Sequence, residues 1–210
     1  MTFENVTLYY FNIAGKKSTA ALGENLNLFL KDSGIDYKYI RVNGAEFKES
    51  GVREKLLEQK YYSATLPAVE IDGKFYNKTT PAMRFLGKKL GKYVGKNDEE
   101  NYFLDTAADL VRDWLVTAFK VFRETDEEKL KEHFENDTKK YLGIFNDIYG
   151  EHQGPYILGE EITYPDFLVY HLLDDDKALD HLADYPNLQQ FVNTFTQRPN
   201  LKSYLDFLKE

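Results

Sequence analysis

Hydrophobic and polar positions change their period near the middle of the chain. Val6 to Phe11 is a run of β-branched and aromatic residues, the pattern of a buried strand. Leu22, Leu26, Phe29 and Leu30 then recur at helical spacing, and Ser33-Gly34 supplies a stop. Tyr37 to Val42 predicts a second strand, and Arg53 to Lys60 a short helix. Leu66-Pro67 leads into Ala68-Val69-Glu70-Ile71, then Asp72-Gly73, then Lys74-Phe75-Tyr76. Asp-Gly between alternating segments is a signal for a tight hairpin. Pro81 stands near the start of a helix that runs to about Leu90, where its missing N–H does little harm. The order β-α-β-α-β-β-α implies a small mixed sheet with helices on its faces.

Beyond this point the period is helical throughout. Residues 91–100, with two glycines and a charge cluster, read as a linker. Phe103, Ala107, Leu110, Val111, Trp114, Ala118 and Phe122 form one long amphipathic stripe. Leu130 to Ile148 holds a second, Leu168 to Leu182 a third and Leu188 to Phe195 a fourth. The third is interrupted by Asp174-Asp175-Asp176, whose ordinary reading is a solvated helix surface rather than a metal-ligand cluster. No metal is expected. The fold class is therefore an α/β domain at residues 1–90 followed by an all-α domain at residues 101–210.

Composition narrows the chemistry. With 42% hydrophobic and 30% charged residues, a folded chain with a sizeable core is expected. Lys and Arg number 27 against 35 Asp and Glu, a net charge of −8. That field opposes general binding to nucleic acid or to anionic membranes. No stretch approaches the roughly 18 apolar residues of a membrane span, and no secretory signal is visible, so a cytoplasmic location is expected. Cysteine is absent, which removes disulfides, thiolate metal sites and a cysteine nucleophile. Any thiol chemistry here needs a thiol brought by a ligand.

Several motifs, in order, resemble those of cytosolic glutathione transferases of the tyrosine type, especially the sigma and alpha classes. They are Val6-Thr7-Leu8-Tyr9-Tyr10-Phe11-Asn12 with Gly15-Lys16, then residues 65–72 (TLPAVEID), then residues 79–86 (TTPAMRFL). Ile162-Thr163-Tyr164-Pro165-Asp166 and the stretch from Pro186 through Arg198-Pro199-Asn200-Leu201 complete the set. The resemblance covers nearly the whole chain. It implies a thioredoxin-like glutathione-binding domain with a mixed four-stranded sheet, then a helical bundle that supplies an electrophile pocket from Tyr102, Leu110, Trp114 and residues near the C-terminus, the alternative place for these residues being the core. It also implies a homodimer, with glutathione as co-substrate and no prosthetic cofactor.

The resemblance assigns roles residue by residue. Tyr10 matches the family tyrosine. Its hydroxyl would donate a hydrogen bond to the glutathione thiolate, favouring the anion over a thiol whose free pKa is about 8.5. Lys16 stands where related classes often carry arginine, and a cation there would stabilise the thiolate. Leu66-Pro67 matches the family's cis-proline turn, whose backbone would pair with the cysteinyl part of glutathione. Thr79 matches a serine at the start of the third helix, where free N–H groups and the dipole favour the γ-glutamyl carboxylate. Lys78 replaces the family's Gln or Glu, and lysine accepts no hydrogen bond. Lys55, or Lys60 as the second choice, would meet the glycyl carboxylate. Asp105 matches an acidic position that reaches the partner subunit's glutathione. Thr163 and Asp166 form a helix-capping arrangement and are excluded from the site.

The implied activity is conjugation of the glutathione thiolate to small apolar electrophiles, a detoxification chemistry. Two rivals stay open: a glutathione-dependent isomerase or peroxidase, and a non-catalytic transferase-fold binding module.

Overall fold

The structure, a computed structural model, describes residues 3–13 and 17–210. The chain divides into two compact units, residues 1–90 with 199–210, and residues 91–198.

The first unit is built on a sheet of order β2-β1-β3-β4. β1 (Val6–Phe11) pairs in parallel with β2 (Tyr37–Val42) and antiparallel with β3 (Ala68–Ile71), which turns through Asp72-Gly73 into β4 (Lys74–Asn77). Burial along β1 alternates: Val6, Leu8 and Tyr10 are buried, while Thr7, Tyr9 and Phe11 are half-buried. The period of two thus sets Tyr9 and Tyr10 on opposite faces. α1 (Leu22–Ser33) ends at Gly34, whose φ of 74° fits a left-handed C-cap. α2 (Gly44–Glu49) is closed by a capping box between Asn43 and Glu46. It is followed by α3 (Val52–Glu58) and α4 (Thr79–Leu90). The predicted single helix after β2 is therefore two, because Asn43 starts a turn that the apolar pattern alone does not show.

A buried carboxylate ties this unit together. Glu24, on α1 and 2% exposed, accepts from Thr19 N–H and Thr19 Oγ1 at one oxygen. Its other oxygen accepts from Asn27 Nδ2 at 2.9 Å and Tyr204 Oη at 2.6 Å. Desolvation, reinforced by the Glu24 charge, holds the Tyr204 phenol well above its ordinary pKa, so it stays a donor. Asn200 Nδ2 donates to Asp32 O at 2.9 Å. These bonds attach residues 199–210 to the N-terminal unit, where the sequence predicts them in the helical domain.

The second unit contains α5 (Asp98–Val121), α6 (Glu127–His133), a π-helical stretch Phe134–Thr138, α7 (Lys139–Gly150), α8 (Tyr164–Asp175), a 3-10 turn Leu179–His181 and α9 (Pro186–Thr196). The final α10 (Lys202–Lys209) belongs to the first unit. The expected linker is short. Asn97 caps α5 by accepting from Glu100 N–H, so 98–100 are already helical. The predicted second stripe is broken by the π-helical stretch.

Trp114 is fully buried, with its ring 5.6 Å from Tyr141 and 5.9 Å from Phe145. It is core, a correction to its expected place in an electrophile pocket. Its Nε1 donates to Asp176 at 2.7 Å, as does Thr138 Oγ1, and His133 Nε2 lies 2.8 Å from the other Asp176 oxygen. The aspartate run is thus only partly a solvated surface: Asp174 is exposed, but the Asp175 and Asp176 side chains are 5% and 3% exposed.

Asp166 is the anchor of the α8 N-terminus. It is fully buried and accepts from Thr163 N–H at 2.6 Å, Thr163 Oγ1 at 2.7 Å, Ile157 N–H at 3.1 Å and Tyr149 Oη at 2.9 Å. Burial pushes its carboxyl up to about 6 from 3.8, against the pull of those donors. The folded chain therefore holds a proton there that the unfolded chain has released, so this group's contribution to stability fades as pH rises through 6. The unfolding free energy of the parent minus that of Asp166→Asn is expected to be smaller at pH 7 than at about pH 4.5. Denaturant melts at both pH values check this, and a gap that widens with pH contradicts it.

Candidate active site

The end of β1, the β3 start and the N-terminus of α4 converge in the first unit. Tyr10 is 8% exposed and shares an apolar cluster with Leu66, Leu56, Val52 and Phe75, rimmed by Phe47 and Tyr61. Its ring lies against the first turn of α1. A Cβ built on Gly23 falls 2.1 Å from Tyr10 Cδ1 and 2.2 Å from Cγ, well inside contact distance. Only glycine at position 23 leaves the ring its place. A glycine inside a helical stripe costs about 1 kcal/mol against alanine, so its presence at 23 signals close approach. The sequence reading passed over that signal.

Tyr9, on the opposite face, donates to Glu70 at 2.9 Å. Burial and the Glu70 bond push its phenol up to about 12. It is engaged away from Tyr10, as the strand period predicts.

The Leu66–Pro67 peptide is cis. Asn77, buried at the end of β4, donates to Thr65 O and, at 3.5 Å, to Pro67 O. That amide fastens the 65–67 turn to the strand that leads into α4. Lys78 follows, with a φ of 69°, and its ammonium sits 3.4 Å from both Ser63 Oγ and Thr65 Oγ1. Thr79 is the first residue of α4 and is 5% exposed. Its hydroxyl makes one long bond, 3.5 Å, to Leu22 O on α1. Ala21 and Lys78, just before α1 and α4, both take positive φ, 59° and 69°. Such strain in non-glycine residues costs about 1–3 kcal/mol each and gathers at functional sites.

Leu66, Pro67, Lys78 and Thr79 are thus brought together, and Tyr10 packs in the same cluster as Leu66. Lys16 lies outside the described residues. Lys55 is exposed on α3, and the structure does not tie it to this group. Asp105 belongs to the second unit and accepts from Tyr164 Oη at 2.6 Å, holding α5 to α8. Three residues the sequence reading did not select stand out: Gly23 beneath the Tyr10 ring, Asn77 behind the turn, and buried Glu24. Near Tyr10, Tyr39 shares a 2.7 Å hydrogen bond with Thr19. Burial, opposed by that bond, holds the Tyr39 phenol above its usual pKa. The structure also has a groove of about 480 Å³ lined by Lys17, Lys31, Arg41, Tyr37 and Tyr204, a cationic place in an acidic chain.

The arrangement offers a phenol, a cis-proline turn and a helix N-terminus with a hydroxyl, a set suited to a small thiol peptide with carboxylates. Comparison with known proteins agrees. A sequence profile described as "Glutathione S-transferase, C-terminal domain" matches residues 108–206. The chain is 31% identical over 203 residues to glutathione S-transferase P 10 of Caenorhabditis elegans, covering 95% of this chain and 90% of the relative. It is 28% identical to a glutathione S-transferase of Anopheles gambiae, covering 94% of each. Among solved structures, the Pi-class glutathione S-transferase of Onchocerca volvulus superposes with a TM-score of 0.81 at 24% identity, over 98% of this chain and 94% of that one. The sheet order, the helical second unit and this degree of identity along nearly the full length place the chain in the glutathione S-transferase family.

Proposed function

We propose that the protein conjugates glutathione to small, mostly apolar electrophiles, with Tyr10 as the group that activates the thiol. The observation that carries this reading is the placement of the Tyr10 ring, fixed by Gly23 and by the cluster that also holds Leu66. A phenol at the end of β1 donates to a sulfur held at the 65–67 turn. The thiol releases its proton to solvent water, and the hydrogen bond from Tyr10 stabilises the anion, whose sulfur forms the new bond to the electrophilic carbon as that carbon's leaving group departs or its double bond takes up the electron pair. The product is a thioether, and Tyr10 remains protonated throughout.

The remaining contacts follow from the same placement. The backbone of Leu66 pairs with the cysteinyl residue, as an added strand does. Thr79 and the free N–H groups of α4 receive the γ-glutamyl carboxylate, and the Lys78 ammonium adds charge beside it. Lys16 and Lys55 are assigned, by family resemblance, to the thiolate and to the glycyl carboxylate. Asp105, by the same resemblance, reaches the partner's glutathione in a homodimer. Its bond to Tyr164 supports a role in the helical unit as well. Glutathione is the co-substrate, without a prosthetic cofactor, and the cytoplasm is the compartment that fits this chemistry. Among the described residues no helix is long and apolar enough to cross a membrane.

Two substitutions test the reading. Tyr10→Phe keeps the ring and removes the donor. It is expected to bind glutathione nearly as the parent does and to lose ~10-fold or more of the turnover with a chromogenic electrophile, the scale of a charge-assisted hydrogen bond. Unchanged turnover would sink Tyr10 as the activating group. Gly23→Ala leaves every polar group in place and forces the ring aside. It is expected to cost about 1–3 kcal/mol of stability, the range for overpacking, and to lower turnover more than glutathione affinity. Parent-like turnover in a folded Gly23→Ala protein contradicts the claim that the Tyr10 position depends on that contact.

A further inference from the structure

The C-terminal part of α8 carries His171, Asp174 and Asp175, at positions i, i+3 and i+4 on one helix face. His171 is 3% exposed, yet its Nε2 makes no hydrogen bond. Leaving a buried imidazole nitrogen without a partner costs free energy, so the atom calls for an explanation. The nearest carboxylate oxygen, Asp175 Oδ2, is 3.3 Å away. That spacing matches the edge of a metal tetrahedron: two ligand atoms at about 2.1 Å from one ion stand roughly 3.4 Å apart. One ligand atom from each of the three residues lies within 4.8 Å of the others.

The surroundings favour a cation. Two acidic side chains, Asp174 and Asp175, stand at the end of the helix where its dipole is already negative. Asp176, next in sequence, is not part of the group, because its oxygens are committed to Trp114, Thr138 and His133. Asp174 is exposed while His171 is buried, which gives an ion a way in from solvent. One imidazole nitrogen with two carboxylate oxygens suits a borderline transition ion. Calcium and magnesium take oxygen sets instead.

We propose that His171, Asp174 and Asp175 form a binding site for a divalent transition-metal ion, Zn²⁺ being the best fit, with water in the fourth position. The bound ion ties the last turn of α8 to itself and offsets the acidic charge that ends the helix. The site lies wholly within the helical unit and is independent of Tyr10, so its existence does not rest on the transferase reading.

The full-length chain, stripped with a chelator and dialysed, is titrated with ZnCl₂ by calorimetry, and thermal melting is followed with and without the ion. The parent is expected to bind one Zn²⁺ per chain and to melt at a higher temperature when loaded. Asp174→Asn, at an exposed position, is expected to fold normally, to bind at least ~10-fold more weakly and to lose the metal-dependent rise in melting temperature. His171→Gln is expected to do the same, and Asp180→Asn, an exposed acid outside the cluster, to behave as the parent. Co²⁺ in place of Zn²⁺ is expected to give visible absorption bands in the parent that Asp174→Asn lacks. No Zn²⁺ binding in the parent, or equal binding in parent and Asp174→Asn, overturns the proposal and leaves His171 and Asp175 as a simple ion pair.

Discussion

The contact between the Tyr10 ring and the backbone of Gly23 is the constraint on which the site depends. An aromatic ring seated at 2.1–2.7 Å from the point where a Cβ would stand leaves no room for any other residue. The strand fixes which face Tyr10 occupies, and the glycine fixes how deep the ring goes. Depth matters because a phenol activates a thiol only by direct hydrogen bonding, and a misplacement of about 1 Å at a reacting centre can cost 100-fold. The neighbouring strain at Ala21 and Lys78 fits the same picture. The starts of α1 and α4 are held in costly backbone conformations where they meet, through Thr79 and Leu22.

Buried carboxylates supply the frame around that contact. Glu24, Asp166 and Asp176 are each taken out of water, and each is given several donors drawn from separate segments. An isolated buried charge is prohibitive, so each carboxylate is stable only when its donors arrive together. This makes them anchors. Glu24 holds α10 to α1, Asp166 fixes the entry of α8, and Asp176 joins α5 to the end of α6 and the π-helical stretch after it. Removing one donor leaves a partner unsatisfied, and the cost is local and cooperative.

Much of this was legible in the sequence. The strand of alternating Val6, Leu8 and Tyr10, the Asp72-Gly73 hairpin and the amphipathic stripe of α5 follow from local periodicity and turn chemistry. Thr163-x-x-Asp166 is legible as a cap for the same reason. What periodicity does not carry is the use of polar residues inside. A run of three aspartates has the composition of a solvated surface. The burial of Asp176 within it depends on Trp114, Thr138 and His133, which come from elements far away in sequence. The attachment of residues 199–210 to the first unit likewise rests on Tyr204 meeting Glu24, a pair 180 residues apart. Trp114 looked like a pocket wall because large aromatics serve both roles, and only packing against Tyr141 and Phe145 separates them. Gly23 was readable in principle, as a glycine where helix propensity argues against one.

Tyr10 activation stands or falls on the acidity of the bound thiol. The direct measurement is the ultraviolet absorption of the thiolate, followed against pH in the protein–glutathione complex and in free glutathione. The account predicts an apparent pKa in the complex about 2 units below the free value near 8.5, equivalent to ~2.7 kcal/mol of preference for the anion. A bound thiol that titrates at its solution value, with glutathione demonstrably in place, would contradict it.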